Sequence, residues 1–127
     1  MKYVLFVFGA FSVQLYASTC VVTDDMQQDM NLKHEDKIAI ETILDGDTYS
    51  VLIQLPEKIN DAKLNGVLLF SGSAEAPLFV VPLATFEEEG ETLSWYHMDA
   101  GYAARHFIAV SFGEECGLSV IKEVHYN

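Results

Sequence analysis

The chain has 127 residues, is 50% hydrophobic, and carries 19 acidic against seven basic side chains for a formal net charge of −12. That length holds one domain of ordinary size. The negative charge argues against a nucleic-acid binder, because phosphate backbones repel an anionic surface.

The first 17 residues have the three-part shape of a cleavable signal peptide. Lys2 supplies a positive start, residues 3–13 form an apolar run broken only by Gly9 and Ser12, and Leu15-Tyr16-Ala17 ends on a small residue at the expected cut. The run is shorter than the ~20 apolar residues needed to cross a bilayer, so no membrane attachment is expected after cleavage. Thr19, directly before Cys20, does not suit a lipid-attachment site, which takes a small residue there. The predicted destination is the periplasm or the cell exterior. Losing Lys2 leaves six basic and 19 acidic side chains, a net charge of −13; excess charge of this kind keeps an exported protein soluble.

Cys20 and Cys116 are the two cysteines of a chain bound for an oxidising compartment, and such a pair reads as a disulfide. Closing a loop of that length is worth at most about 4.7 kcal/mol in the chain-entropy picture. A redox pair would need the close spacing of Cys-x-x-Cys, which these residues lack.

Residues 18–36 are polar and acidic, and read as an N-terminal arm with a short strand at 20–23 and methionines at 26 and 30. From residue 37 to 127 apolar residues alternate at period two between turn signals, the mark of β-strands. Ile38, Ile40 and Leu44 share one face, and Tyr49, Val51, Ile53 and Leu55 share one on the next strand. Asp45-Gly46 between them is the favoured pair for a tight type I′ hairpin turn. Pro56 ends the second strand. Further strands are expected at 67–71, 78–86, 92–98, 105–112 and 118–126, with Asn65-Gly66 and the acidic run 87–91 as turns. Pro82 inside the apolar strand 78–86 marks it as an edge strand or a bulge.

No helix is evident. The pattern predicts an all-β fold, a single immunoglobulin-like antiparallel β-sandwich of about seven strands. The Cys–Trp–Cys arrangement of antibody domains is absent, since Trp95 lies much nearer Cys116 than Cys20.

If 92–98 and 105–112 form a hairpin closed by residues 99–104, Met98 faces Arg105 and His97 faces His106. Trp95 then opposes Ile108, and Leu93 opposes Val110. Directly opposed residues are close enough for two imidazoles to share one zinc or copper ion. Further ligands would come from Asp99, His34, Glu35, Met26 or Met30, none of them fixed by spacing. The plainer expectation is that His97 and His106 cap the end of the core and bond to loop backbone.

The acidic turns lack the alternation of a calcium loop, and there is no Gly-x-Ser-x-Gly elbow or phosphate-binding glycine loop. No catalytic residue and no resident cofactor is predicted. The expected function is a non-enzymatic binding or structural module that meets a protein or small ligand through loops or strand edges. Candidate surfaces are the loops 71–77 and 99–104, the second with Gly101 and Tyr102 at its tip. A small zinc- or copper-binding protein built on His97 and His106 is the alternative.

Overall fold

A computed structural model describes residues 22–73, 76–114 and 117–127. The expected signal peptide and the cysteines Cys20 and Cys116 lie outside the described residues. Among those residues the chain forms one helix, α1 (Asp24–His34), and nine strands: β1 (Ala39–Asp45), β2 (Thr48–Leu55), β3 (Lys58–Ile59), β4 (Ala62–Gly72), β5 (Pro77–Leu83), β6 (Phe86–Glu88), β7 (Glu91–Asp99), β8 (His106–Phe112) and β9 (Leu118–Val124).

The fold is an all-β sandwich. One sheet runs β1-β2-β7-β6; the other runs β3-β4-β8-β9, with β5 also paired to β4. Every pairing is antiparallel. Ile53 and Val51 from the first sheet meet Ile108, Val110, Phe112 and Val120 from the second in a core from which water is excluded.

The first hairpin has the expected faces, with Ile40 opposite Ile53 and Leu44 opposite Tyr49. Its turn differs in type. Asp45 pairs with Thr48, so the two central residues are Gly46 and Asp47, and only Gly46 has a positive φ, +66°. That is the type II′ pattern, in which glycine takes the first central place. A type I′ pattern occurs instead at Asn60-Asp61, between β3 and β4, where both residues have positive φ. Asn65-Gly66 is no turn; there the β4–β8 register shifts at a bulge.

The hairpin expected between residues 92–98 and 105–112 does not form. β7 pairs with β2 and β6, while β8 pairs with β4 and β9 in the other sheet. The connector is a single 3-10 turn, Ala100–Tyr102, and it carries the chain across the sandwich. The Asp99 carboxylate accepts the Gly101 N–H at 2.8 Å, and the Ala100 N–H donates to the Asp47 carbonyl at 2.7 Å. These bonds turn the backbone out of the first sheet. The faces of β7 are consequently reversed from expectation: Thr92, Ser94 and Tyr96 are buried, and Trp95 and His97 look outward.

The arm is not extended either. α1 begins at Thr23, whose hydroxyl accepts the Met26 N–H at 3.2 Å, with Asp24 and Asp25 in the positive first turn and Lys33 and His34 in the last. Asp29 and Lys33 are joined across one turn at 3.1 Å. It docks through amides and not through an apolar stripe. The Ile121 N–H donates to Asn31 Oδ1 at 2.8 Å, and Gln27 donates to the Ser119 carbonyl at 3.1 Å while accepting from the Ser119 hydroxyl at 3.0 Å. One turn apart on the helix, the two amides do for the outer edge of β9 what another strand would do.

Asn31→Ala removes the acceptor for a part-buried edge N–H, which costs about 1–3 kcal/mol. Urea unfolding should show that loss, and hydrogen exchange should show the Ile121 amide deprotected ahead of its neighbours in β8. Unchanged exchange at Ile121 would mean that the helix does not guard this edge.

Candidate functional site

His106 opens β8, and period-two alternation turns it inward with Ile108 and Val110 below it. It is 3% exposed. Its Nδ1 lies 2.8 Å from the Tyr126 hydroxyl, and that hydroxyl lies 2.6 Å from the hydroxyl of Tyr96. Three elements thus meet in one chain of polar atoms: β7 of the first sheet, β8 of the second, and the segment after β9. Rings pack around it, with Tyr126 edge-on to His106 at 5.4 Å, Tyr49 against Tyr126 at 5.0 Å, and Phe79 of β5 at 5.4 Å from the imidazole.

Burial sets the protonation of this chain. It lowers the His106 pKa from 6.5, which favours the neutral ring near pH 7. Burial, followed by the bond to Tyr126, pushes the Tyr96 hydroxyl far above the ordinary phenol range; burial also raises Tyr126. A consistent arrangement has Tyr96 donating to Tyr126, and Tyr126 donating to an unprotonated Nδ1. Proton traffic at neutral pH is not favoured by such groups. They serve as a fixed polar strut inside an apolar end.

Above the strut lies a cleft of about 680 Å³. Its walls are Leu78 and Phe79 of β5, Met98 at the end of β7, Tyr102 and Ala104 of the β7–β8 connector, and His106 as the floor. Both segments singled out on sequence, 71–77 and 99–104, border this one cleft, the first through Ser71 and Gly72, which belong to the end of β4 and not to a loop, the second through Tyr102 and Ala104. Leu78 at its rim is 84% exposed and Tyr102 74% exposed. Large apolar side chains that stand this far into water are available to a partner. Arg105 also reaches the cleft, but its guanidinium is held at 3.3 Å by Glu123 and stands 5.3 Å from the Phe107 ring, so the rim carries little free charge.

Gly72 allows the rim its shape. It has φ +89°, and a Cβ there would stand 2.9 Å from the Leu78 backbone nitrogen. The β4–β5 register shifts at this point, so Leu78 leaves the regular ladder.

The structure does not bring His97 and His106 together. His97 is on the outer face of the first sheet, with Nδ1 3.1 Å from the Ser50 hydroxyl and its ring 5.2 Å from Trp95. His106 is inside the sandwich on the second sheet. The cross-strand pair on which the zinc or copper site rested is therefore not formed. Among the described residues no three His, Cys, Asp or Glu side chains are placed to hold a metal ion. Of the other ligands considered, His34 is buried with Nδ1 3.3 Å from the Lys37 amine, Asp99 caps the 3-10 turn, and Met26 and Glu35 belong to the α1 end of the molecule.

Sequence reasoning missed Tyr96 and Tyr126. Tyr96 alternates with Trp95 along a strand whose two faces are similarly apolar, and Tyr126 falls at the end of the strand expected at 118–126, where nothing in the sequence joins it to Tyr96 or His106; β9 itself stops at Val124. The chain matches no family model, and neither a curated protein nor a solved structure is detectably similar to it.

The strut makes stability depend on pH with a definite sign. The folded state holds His106 with a lowered pKa, so the unfolded chain binds the extra proton more readily. The His106 contribution is full above pH 6.5 and is lost as pH falls below it. Melting temperature measured from pH 7.5 to pH 5 should fall, and His106→Gln should lose the part of that fall due to this ring. An identical slope in the variant would place the titrating group elsewhere. Separately, Tyr126→Phe leaves the buried Tyr96 hydroxyl without its partner, at a cost of about 1–3 kcal/mol.

Proposed function

We propose that this protein is an exported, non-enzymatic binding module that takes an apolar side chain or short apolar segment of a protein partner into the cleft above His106. The observation that carries the reading is the meeting of the β7–β8 connector and the β4–β5 bend on one apolar cleft whose rim residues, Leu78 and Tyr102, are largely exposed among the described residues. Binding sites combine an apolar lining with a few placed polar groups. Here the lining is Leu78, Phe79, Met98 and Tyr102, and the fixed polar group is the imidazole edge. Strands supply the floor and most of the wall, and the β7–β8 connector supplies the Tyr102 rim.

The immunoglobulin-like reading of the sandwich has support in strand order. In chain order, β1-β2-β7-β6 follows the A-B-E-D sheet of such domains, and β5-β4-β8-β9 follows C′-C-F-G. The two-residue β3 is an addition. Export and the Cys20–Cys116 bridge belong to the same proposal, supported by the N-terminal apolar run and the even cysteine count.

The test is site-specific photo-crosslinking in the producing cell. Tyr102 replaced by p-benzoylphenylalanine should give a discrete heavier adduct, and Ile43, exposed on the outer face of the other sheet, should not when replaced in the same way. Leu78→Asp should abolish the Tyr102 adduct while shifting stability by less than about 0.5 kcal/mol, because the side chain is exposed. Equal labelling from both positions, or none from Tyr102, overturns the proposal.

A further inference from the structure

A two-sheet sandwich exposes strand edges, and among the described residues all but one of them are guarded. Amides from α1 occupy the edge of β9. β1 carries the acids Glu41 and Asp45, and the Thr42 hydroxyl donates to the His125 carbonyl at 3.0 Å. β6 is three residues long and acidic at Glu87 and Glu88, with Glu89 next in the turn. β3 is two residues long. Short strands, charge and covering segments are the known devices against edge pairing.

Among the described residues β5 has none of these. It is seven residues, Pro-Leu-Phe-Val-Val-Pro-Leu, paired to β4 along one side only. No charged residue occurs from residue 76 to 86, in a chain with 19 acids. Leu78, Phe79, Val80 and Val81 are all exposed, which places apolar surface on both faces of the strand. Phe79 and Val81 follow the inner face, opposite Ser71 and Leu69, and Val80 follows the outer face, opposite Phe70.

We propose that this edge is occupied by a second copy of the chain, paired antiparallel about a two-fold axis through Val80, so that the two five-stranded sheets become one. The backbone supports that register. Pro82 has no N–H, and a proline is accepted in an edge strand where its nitrogen faces away from the ladder. Alternation then turns the Val80 N–H and C=O outward as well. On the axis, Val80 and its copy exchange both bonds of a hydrogen-bonded antiparallel pair.

The side chains agree with the same axis. Phe79 meets Val81 of the copy on the inner face, and Leu78 meets Pro82 on the outer face, so apolar residues oppose apolar ones at each step. Charge leaves a copy this one approach: two anionic chains repel over the rest of their surfaces, and residues 76–86 carry no charge to oppose their meeting. The interface is self-complementary and therefore closed. Pairing consumes the bare edge, and the guarded edges do not extend it, so assembly stops at two. Leu78 lies two residues from the axis, which sets the two clefts on either side of it.

Sedimentation equilibrium of the exported chain from micromolar to millimolar concentration reads the result directly. The expected outcome is a reversible twofold rise in mass with no larger species, shifting toward the dimer at higher salt as like-charge repulsion is screened. Val80→Lys puts two like charges on the axis and should leave a monomer throughout, with an unchanged circular dichroism spectrum. Val80→Cys should form an intermolecular disulfide on mild oxidation, and Ile43→Cys should not; this decides the register even if the lysine variant folds poorly. A wild-type monomer at all concentrations, a dimer undisturbed by Val80→Lys, growth beyond two chains, or no disulfide at position 80 would each overturn the proposal. The cleft reading stands or falls separately on crosslinking from Tyr102.

Discussion

Backbone groups at the margin of a β-sheet must bond to something, and the architecture of this protein is largely a set of answers to that demand. Each of two open sheets leaves rows of N–H and C=O groups unpaired at its margins. At β9 the answer is a helix used for its side-chain amides: Asn31 and Gln27 accept from and donate to Ile121 and Ser119 as a neighbouring strand would. At β1 it is the negative charge of Glu41 and Asp45, and at β6 it is brevity and negative charge. The edge left apolar, at β5, borders the same cleft whose walls stand in solvent. Sites of contact with other molecules arise where a fold leaves such demands unmet.

The polar strut explains how a cleft can exist beside that edge without collapsing. An imidazole and two phenols in an apolar interior cost free energy unless each is bonded, and the Tyr96–Tyr126–His106 chain bonds all three. Because its members come from both sheets and from the C-terminal segment, the strut fixes the distance between the sheets at this end. Ser94 plays a smaller part on the same face of β7; it is wholly buried and donates to the Ala84 carbonyl at 2.8 Å. The inner face of β7 is therefore polar for a buried face, and the largest aromatic of the strand, Trp95, lies on the outer face, stacked on Phe86 at 6.2 Å.

That inversion accounts for what the sequence left hidden. The first hairpin was legible because its faces differ sharply: Ile40, Val51 and Ile53 alternate with Glu41, Ser50 and Gln54, and a tight turn joins them without a choice of sheet. The apolar edge strand was legible from Pro82. In β7 the residues Leu93 and Trp95 compete with Tyr96 and Met98, so hydropathy alone does not say which set is inside. The set that wins does so because Tyr96 has a partner in Tyr126, 30 residues further on. Joining 92–98 to 105–112 as a hairpin puts Trp95 and Leu93 opposite Ile108 and Val110, and both the wrong face and the histidine pair follow from that pairing. The helix was missed for a related reason. Its start is written in Thr23-Asp24-Asp25, but periodicity of apolar residues cannot report a helix that docks through Gln27 and Asn31.

The placement of the crossovers ties these points together. Had β7 and β8 paired, the connector after Asp99 would have been a hairpin loop closing one sheet, and His97 and His106 would have shared a face at its end. As a crossover, the same residues span the gap between the sheets. Asp99 and Ala100 are bound back to the first sheet, Ala104 and Arg105 lead into the second, and Tyr102 is left at the top of the arch. An arch over the end of a sandwich encloses space that a hairpin loop would not. The β4–β5 bulge at Gly72 adds the opposite wall by lifting Leu78 out of its ladder. The cleft is thus a consequence of topology before it is one of side-chain choice. Its chemistry follows from which residues the arch and the bulge happen to carry.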